Sequence, residues 1–319
     1  MNYINDEYKQ NHIVSKNKSL FLYEFDNGEH LNFILAKDKI GNIIGCIGYI
    51  KSNSLDKPDL WTSIWSVSNK SSNPTLGIKL FQYLREKIPH RYLLAPGVNP
   101  NTLVFYERFG IKTGILKQYY IINNSITKYN IAKVIIQDKV STKKINENTK
   151  KRIIPVSNIV ELKKRFDLKN NIIPYKDYSF IEKRYFTNPF HKYNVCCVSD
   201  NEKYSSLFVT REVVVNKSKA LLMVDFIGNH NDLFYISNYL YDIIIEKNFE
   251  YVTFLEYGIS DEIMDNSKFV KLNHQTDSII IPIYFSPFVQ KNIEILYFAD
   301  NIEKDYYIFK ADGDQDRPN

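Results

Sequence analysis

The chain has 319 residues, a net charge of +6, 44% hydrophobic and 24% charged residues, a length that favours two domains and the balance of a soluble globular protein. It contains no run of about 18 apolar residues, so no spanning helix is expected, and the acid-bearing stretch from Met1 to Gln10 lacks the apolar core of a secretory leader. Cys46, Cys196 and Cys197 cannot frame a disulfide scaffold and read as small core residues of a protein kept in the reducing cytoplasm.

From the N-terminus, Leu31–Asp38 and Ile43–Lys51 are β-type runs joined through Gly41-Asn42, a hairpin signal. Leu60–Ser68 alternates large and small residues as a third strand. Asn73–Lys87 places Leu76, Leu80 and Leu84 on one face, the spacing of an amphipathic helix, and Arg91–Pro96 is a short buried strand. Asn99–Gly110 (NPNTLVFYERFG) reads as a short helix with Tyr106 in an apolar turn, and Leu116–Ile122 as the strand that closes this domain. Taken alone, a tyrosine in such a turn is either core with a tied-off hydroxyl or a proton donor.

Asp138–Ile153 carries most of the local positive charge with almost no large apolar residues, and reads as a solvated linker. Nucleic-acid binding would need basic residues gathered on one face among aromatic platforms, a pattern absent here, so no nucleic-acid partner is expected. Beyond the linker the order repeats. Tyr178–Asp200 ends in a strand, Ser205–Asn216 and Lys219–Gly228 form a strand pair, and Asp232–Asn248 is a helix with Leu233, Ile236, Leu240 and Ile244 on one face. Tyr251–Gly258 is a strand, Asp261–Leu272 a short helical run, and Ile279–Phe285 a final strand.

Strand pair, strand, helix, strand, short helix, strand resembles the core of the GNAT superfamily of N-acetyltransferases. The family motif N-x-x-A-x-x-F-Y-E-x-x-G-F is matched by Asn99, Thr102, Phe105, Tyr106, Glu107, Gly110 and Ile111 with its spacing intact. The resemblance implies acetyl-CoA as co-substrate, Tyr106 as the general acid that protonates the departing thiolate, and Asn99 against the coenzyme arm. The family's phosphate loop, Q/R-x-x-G-x-G/A, falls on Ser72–Gly77, so Asn73, Thr75, Leu76 and Gly77 are the implied cofactor-binding residues. Gly77 matches the last glycine, Thr75 stands for the first and Ser72 for the long polar residue. Pro74 removes one N–H from the cradle but suits the entry to a helix.

The fold expected is α/β (α+β): two GNAT-like domains, each a mixed, mainly antiparallel twisted sheet flanked by helices. They span 1–140 and 156–319, with a basic linker at 141–155 and an acidic tail. The second copy lacks the Phe-Tyr pair, which leaves the first as the cofactor site. Asn11–Phe25, Glu182–Tyr193 and Phe309–Asn319 are similar to segments of two-domain acyltransferase-like proteins encoded among bacterial surface-polysaccharide genes. That likeness points to an aminosugar or sugar-nucleotide acceptor; Asp225, at a strand end just before Gly228 and a helix, is the expected acceptor-side acid, and Asp312, Asp314 and Asp316 of the tail are expected to hold the sugar's ammonium or hydroxyls. The six histidines are dispersed without ligand spacing, and no metal is expected. Two other readings share the fold: a non-catalytic binding or scaffold protein, and a Fem-type transferase that takes its acyl group from aminoacyl-tRNA, which the modest charge disfavours.

Overall fold

Gly41 takes φ +93°, a turn conformation that costs glycine least, and strands β1 (Phe33–Lys37) and β2 (Ile43–Lys51) pair antiparallel across it. The structure, a computed structural model, describes residues 1–135, 151–169, 171–200, 202–275 and 278–318. The remaining strands are β3 (Leu60–Val67), β4 (Leu93–Pro96), β5 (Lys112–Ile115), β6 (Lys117–Ile122), β7 (Lys133–Val134), β8 (Arg152–Pro155), β9 (Asn194–Asp200), β10 (Lys203–Val215), β11 (Ser218–Gly228), β12 (Tyr251–Tyr257), β13 (Val270–Lys271), β14 (Ile279–Ile280), β15 (Tyr284–Phe285), β16 (Phe288–Val289), β17 (Leu296–Asp300) and β18 (Ile308–Phe309). The helices are α1 (Ile13–Lys16), α2 (Lys18–Phe25), α3 (Leu76–Lys87), α4 (Leu103–Arg108), α5 (Ile159–Arg165), α6 (Tyr178–Ile181), α7 (Leu233–Glu246) and α8 (Asp261–Asp265).

Two sheets carry the architecture: six strands in the order β1-β2-β3-β4-β17-β5, and a second running β13-β6-β12-β11-β10-β9-β8. Both are mixed and mainly antiparallel, as expected, and each has one parallel pairing, β3 with β4 and β11 with β12. Parallel neighbours need a crossover, which α3 and α7 supply. The helices bury the faces that the sequence spacing assigns them: Leu80, Phe81 and Leu84 from α3, and Leu233, Ile236, Leu240 and Ile244 from α7.

The strand Leu116–Ile122 does not close the first sheet. The chain leaves that sheet at Ile115, passes through the single buried residue Leu116, and continues as β6 between β12 and β13 of the second sheet. In return β17, from the far end of the chain, enters the first sheet between β4 and β5, with Phe298 opposite Ala95 and Thr113. Local pattern marks Leu116–Ile122 as a strand without naming its neighbour, and the sequence reading leaves Leu296–Asp300 unassigned. Of the expected linker, 141–150 lies outside the described residues, while Arg152–Pro155 forms β8 at the edge of the second sheet.

This exchange makes each sheet depend on the other half of the chain. Phe298 is fully buried in the first core, where Tyr106 stacks on it at 4.5 Å between ring centroids and Phe81 meets it edge-on at 5.7 Å. Phe298→Ala is expected to cost about 3–5 kcal/mol. Because both tryptophans, Trp61 and Trp65, lie in the first half, their fluorescence should melt in one transition with the far-UV signal, lowered for both. Two separate transitions would mean that the halves fold independently.

Candidate functional site

Strands β3 and β4 share only the pairs Leu60↔Leu93 and Trp61↔Leu94, and then diverge. Divergence begins where the register of β3 against β2 shifts between Ile47 and Gly48, and there Ile64 takes φ +42°, a strained value for a β-branched residue that marks a bulge. The gap between the strands opens into a cleft of about 630 Å³ that is walled also by Tyr8, His12, Tyr284 and Pro287. Ser68 donates its N–H to Ile44 of β2. Since successive residues of a strand face opposite sides, Val67 and Trp65 direct theirs toward the open edge.

Helix α3 begins at the outer end of the cleft. Asn73 Oδ1 accepts from both the N–H and the hydroxyl of Thr75, which shapes the turn, and no side chain caps the first turn of the helix. The helix therefore presents uncompensated N–H groups there. Gly77 lines the cleft beside Val67 and Trp65, while Asn73, Thr75 and Leu76 build the turn behind it. On the opposite wall Asn99 caps the 3-10 turn before α4 by accepting from the Asn101 N–H, so its amide N–H₂ is left over. Tyr106 borders the same cleft, tethered to Thr102, and burial raises its phenol above the ordinary range, so it is protonated at neutral pH.

The tail lies between the two halves, and all three of its acids have partners in the chain. Lys176 is buried between Asp225 at 2.5 Å and Asp312 at 2.6 Å, and Tyr185 donates to the other oxygen of Asp225. Burial, followed by the charge of Asp225, pushes the Asp312 carboxyl up to about 6 against the pull of Lys176. Arg211 forms a two-pronged pair with Asp316, which Tyr193 also contacts; burial pushes the Asp316 carboxyl up, but Arg211, with Lys310 and His191, holds it below its usual value. Asp314 accepts from Ser63 at 2.6 Å and meets Arg317, which also grips Glu24.

The first cleft thus gathers Tyr106, Gly77, Asn99 and Asp314 from the sequence-derived set. Asp225, Asp312 and Asp316 have no or almost no accessible surface and do not border it. Lys176, Arg184, Arg211, Arg317 and Gln315 escaped the sequence reading. Their partners lie up to 293 residues away, and local spacing carries no signal over that distance. Among the described residues no group of three His, Cys, Asp or Glu side chains could hold a metal ion, and no helix is long and apolar enough to cross a membrane.

The second half has the corresponding gap, but the chain fills it. Strands β11 and β12 pair over Leu221–Met223 and separate, and β18 takes the space, with Phe309 opposite Glu256 and the Ala311 N–H donating to Val224. At the N-terminus of α7 stands the buried carboxylate of Asp232, held by Ser205, Ser206 and Lys151, where an anionic ligand would need a vacant site. A pocket of about 350 Å³, walled by Ile172, Phe226, Ile227 and Phe309, is what remains.

No family model matches the chain, and no curated protein matches it. Solved structures do resemble it in chain path. A GCN5-related N-acetyltransferase from Anabaena variabilis is 12% identical with a TM-score of 0.48, over 84% of this chain and 62% of that one, so the chain spans less than two thirds of that relative. Saccharomyces cerevisiae N-myristoyltransferase with bound myristoyl-CoA is 11% identical, TM-score 0.45, over 95% and 74%. A tandem GNAT protein from the clavulanic acid biosynthesis pathway is 9% identical, TM-score 0.42, over 84% and 83%. At such likeness the chemistry has to come from this chain's own residues.

Glu256, at the mouth of the filled gap, has one oxygen bonded to the Ile259 N–H and the other without a hydrogen-bond partner among the described residues. Burial pushes its carboxyl up to about 7 from 4.5. Between those values the folded chain holds a proton that the unfolded chain has released, so stability falls as pH rises through the window and stays lower above it. The loss is on the order of 3 kcal/mol at about 1.4 kcal/mol per unit. Glu256→Gln should melt increasingly above the wild type from pH 5 to pH 8; a constant difference between the two would rule out Glu256 as the source.

Proposed function

We propose that the protein is an acyl-CoA-dependent N-acyltransferase of the GNAT type, with one coenzyme site in the first cleft. The observation that supports this most is the divergence of two parallel strands into a cleft with an uncapped helix N-terminus at one end and a protonated tyrosine on its wall. The coenzyme diphosphate sits at the first turn of α3 beside Gly77, which a helix N-terminus favours electrostatically. The pantetheine arm runs along the open edge of β3, where Trp65 and Val67 offer main-chain bonds, and Asn99 donates to it from the other wall.

An acceptor amine attacks the thioester carbonyl, the C–N bond forms and the C–S bond breaks. Tyr106 gives its proton to the leaving sulfur. The nitrogen releases a proton to water in the open cleft, and one returns to Tyr106. Asp314 faces the acceptor end, fixed by Ser63 and Arg317, and attracts an ammonium; we assign it the acceptor-side role expected of Asp225, which is shut inside its ion pair. The finer reading is an acceptor of the aminosugar or sugar-nucleotide class, a precursor of a bacterial surface polysaccharide. It is supported by the sequence likeness of the end segments and by an acidic acceptor end.

The test is a calorimetric titration with acetyl-CoA on the wild type and on Gly77→Glu, which puts a carboxylate where the diphosphate belongs. Saturable binding that the variant loses supports the reading, and no binding at millimolar acetyl-CoA removes it. With an acceptor in hand, Tyr106→Phe should bind acetyl-CoA as before but turn over ~100-fold more slowly. Full turnover in that variant would return Tyr106 to a role in the core.

A further inference from the structure

The inner end of the first cleft is closed, and the chain's own tail closes it. Gly313 lies directly beyond the last paired residues of β3 and β4: a Cβ placed on it would stand 3.4 Å from Trp61 and 3.5 Å from Pro96. Behind it Trp61 and Leu94 are fully buried, so no channel continues inward between the strands. One step further out, the amide of Gln315 covers Gly97 so closely that a Cβ built there would fall 1.8 Å from Gln315 Nε2.

The backbone under Gln315 is held firmly and its side chain is not. Arg184 donates to the carbonyls of Ala311 and Gly313, and Arg211 pairs with Asp316, which brackets the turn on both sides. The amide itself accepts from Tyr284 and donates to Asp314 at 3.4 Å in each case, two long bonds. Contact rather than hydrogen bonding keeps it over Gly97.

The direction of the cleft decides what meets this closure. Its outer end is the first turn of α3 at Gly77 and Val67, and its inner end is Ser63 and Ala95. From Val67 to Ser63 a fully extended strand would cover about 13 Å at ~3.3 Å per residue, and the bulge at Ile64 shortens this. A coenzyme with its diphosphate at the helix and its arm along β3 therefore delivers the acyl group to Ser63, Ala95 and Gln315.

We propose that the turn Gly313–Gln315 limits the acyl group to a short chain, of about acetyl size, with Gln315 as the specificity-determining side chain. This rests on the acyl-CoA reading above. A longer chain has to displace the Gln315 amide from Gly97, which gives up its packing there and its bonds to Tyr284 and Asp314 and so costs affinity.

The experiment is a titration of the full chain with coenzyme A, acetyl-CoA and octanoyl-CoA, followed by the same series on Gln315→Ala and Gln315→Met. The wild type should bind octanoyl-CoA at least ~10-fold more weakly than acetyl-CoA, several methylenes being worth that much in a closed pocket. Gln315→Ala should bring the ratio of the two dissociation constants toward one, whereas Gln315→Met, similar in length, should preserve it. A wild type that binds both acyl forms equally overturns the inference by itself, while leaving the coenzyme site standing. An unchanged ratio in Gln315→Ala overturns it too, and failure to bind coenzyme A at all removes the acyl-CoA reading and this inference with it.

Discussion

Everything between the two sheets depends on the neutralisation of charge around the tail. Lys176, Arg184 and Arg211 come from the second half of the chain, Glu24 and Ser63 from the first, and the tail lies among them with residues 310–313 and Asp316 buried and Asp314 and Gln315 bordering the cleft. Removing ions from water costs several kcal/mol each, recovered only where partners are close and well oriented. The reward is specificity rather than strength: along this path Asp312, Asp316 and Arg317 each find an opposite charge. Lys310, buried without an ion pair among those described, packs over the Tyr284 ring at 4.7 Å and has its ammonium pushed down to about 8 by that burial.

That path makes two similar clefts unequal. The segment Ile308–Ala311 completes the hydrogen bonding of β11 and β12 and fills the second gap, and Gly313–Gln315 goes on to form the inner wall of the first. Helix dipoles reinforce the difference. Neither first turn has a side-chain cap, but that of α7 has the Asp232 carboxylate beside it. Of the two gaps between parallel strands, one is filled by the chain and one is left open.

The strand exchange adds the other constraint. Because β17 lies between β4 and β5, the ring on which Tyr106 stacks comes from residue 298, and because β6 lies between β12 and β13, the second sheet is incomplete without the first half. Tyr106, which lines the cleft, is thus held by packing from both halves of the chain. The site belongs to the whole fold rather than to one half of it.

By itself the amino-acid sequence determined the elements and their class. Most of the expected strands formed, although Ile279–Phe285 is split into β14 and β15 of two different small sheets; Leu80 and Leu84 became the buried face of α3 with Leu76 half-buried at its start, and Gly41-Asn42 became a hairpin, because these patterns record burial within a few residues of each other. It also carried the Asn99 to Ile111 motif to which Tyr106 belongs. Only the tertiary structure decided the rest: which sheet Leu116–Ile122 joins, that Asp225, Asp312 and Asp316 are consumed by internal cations while Asp314 reaches the cleft, and that Gln315 lies over Gly97. Backbone hydrogen bonds and Coulomb attraction do not depend on separation along the chain, so a strand accepts any edge of matching pattern and a carboxylate any cation that folding brings near. The choice among them is made by how the whole core packs.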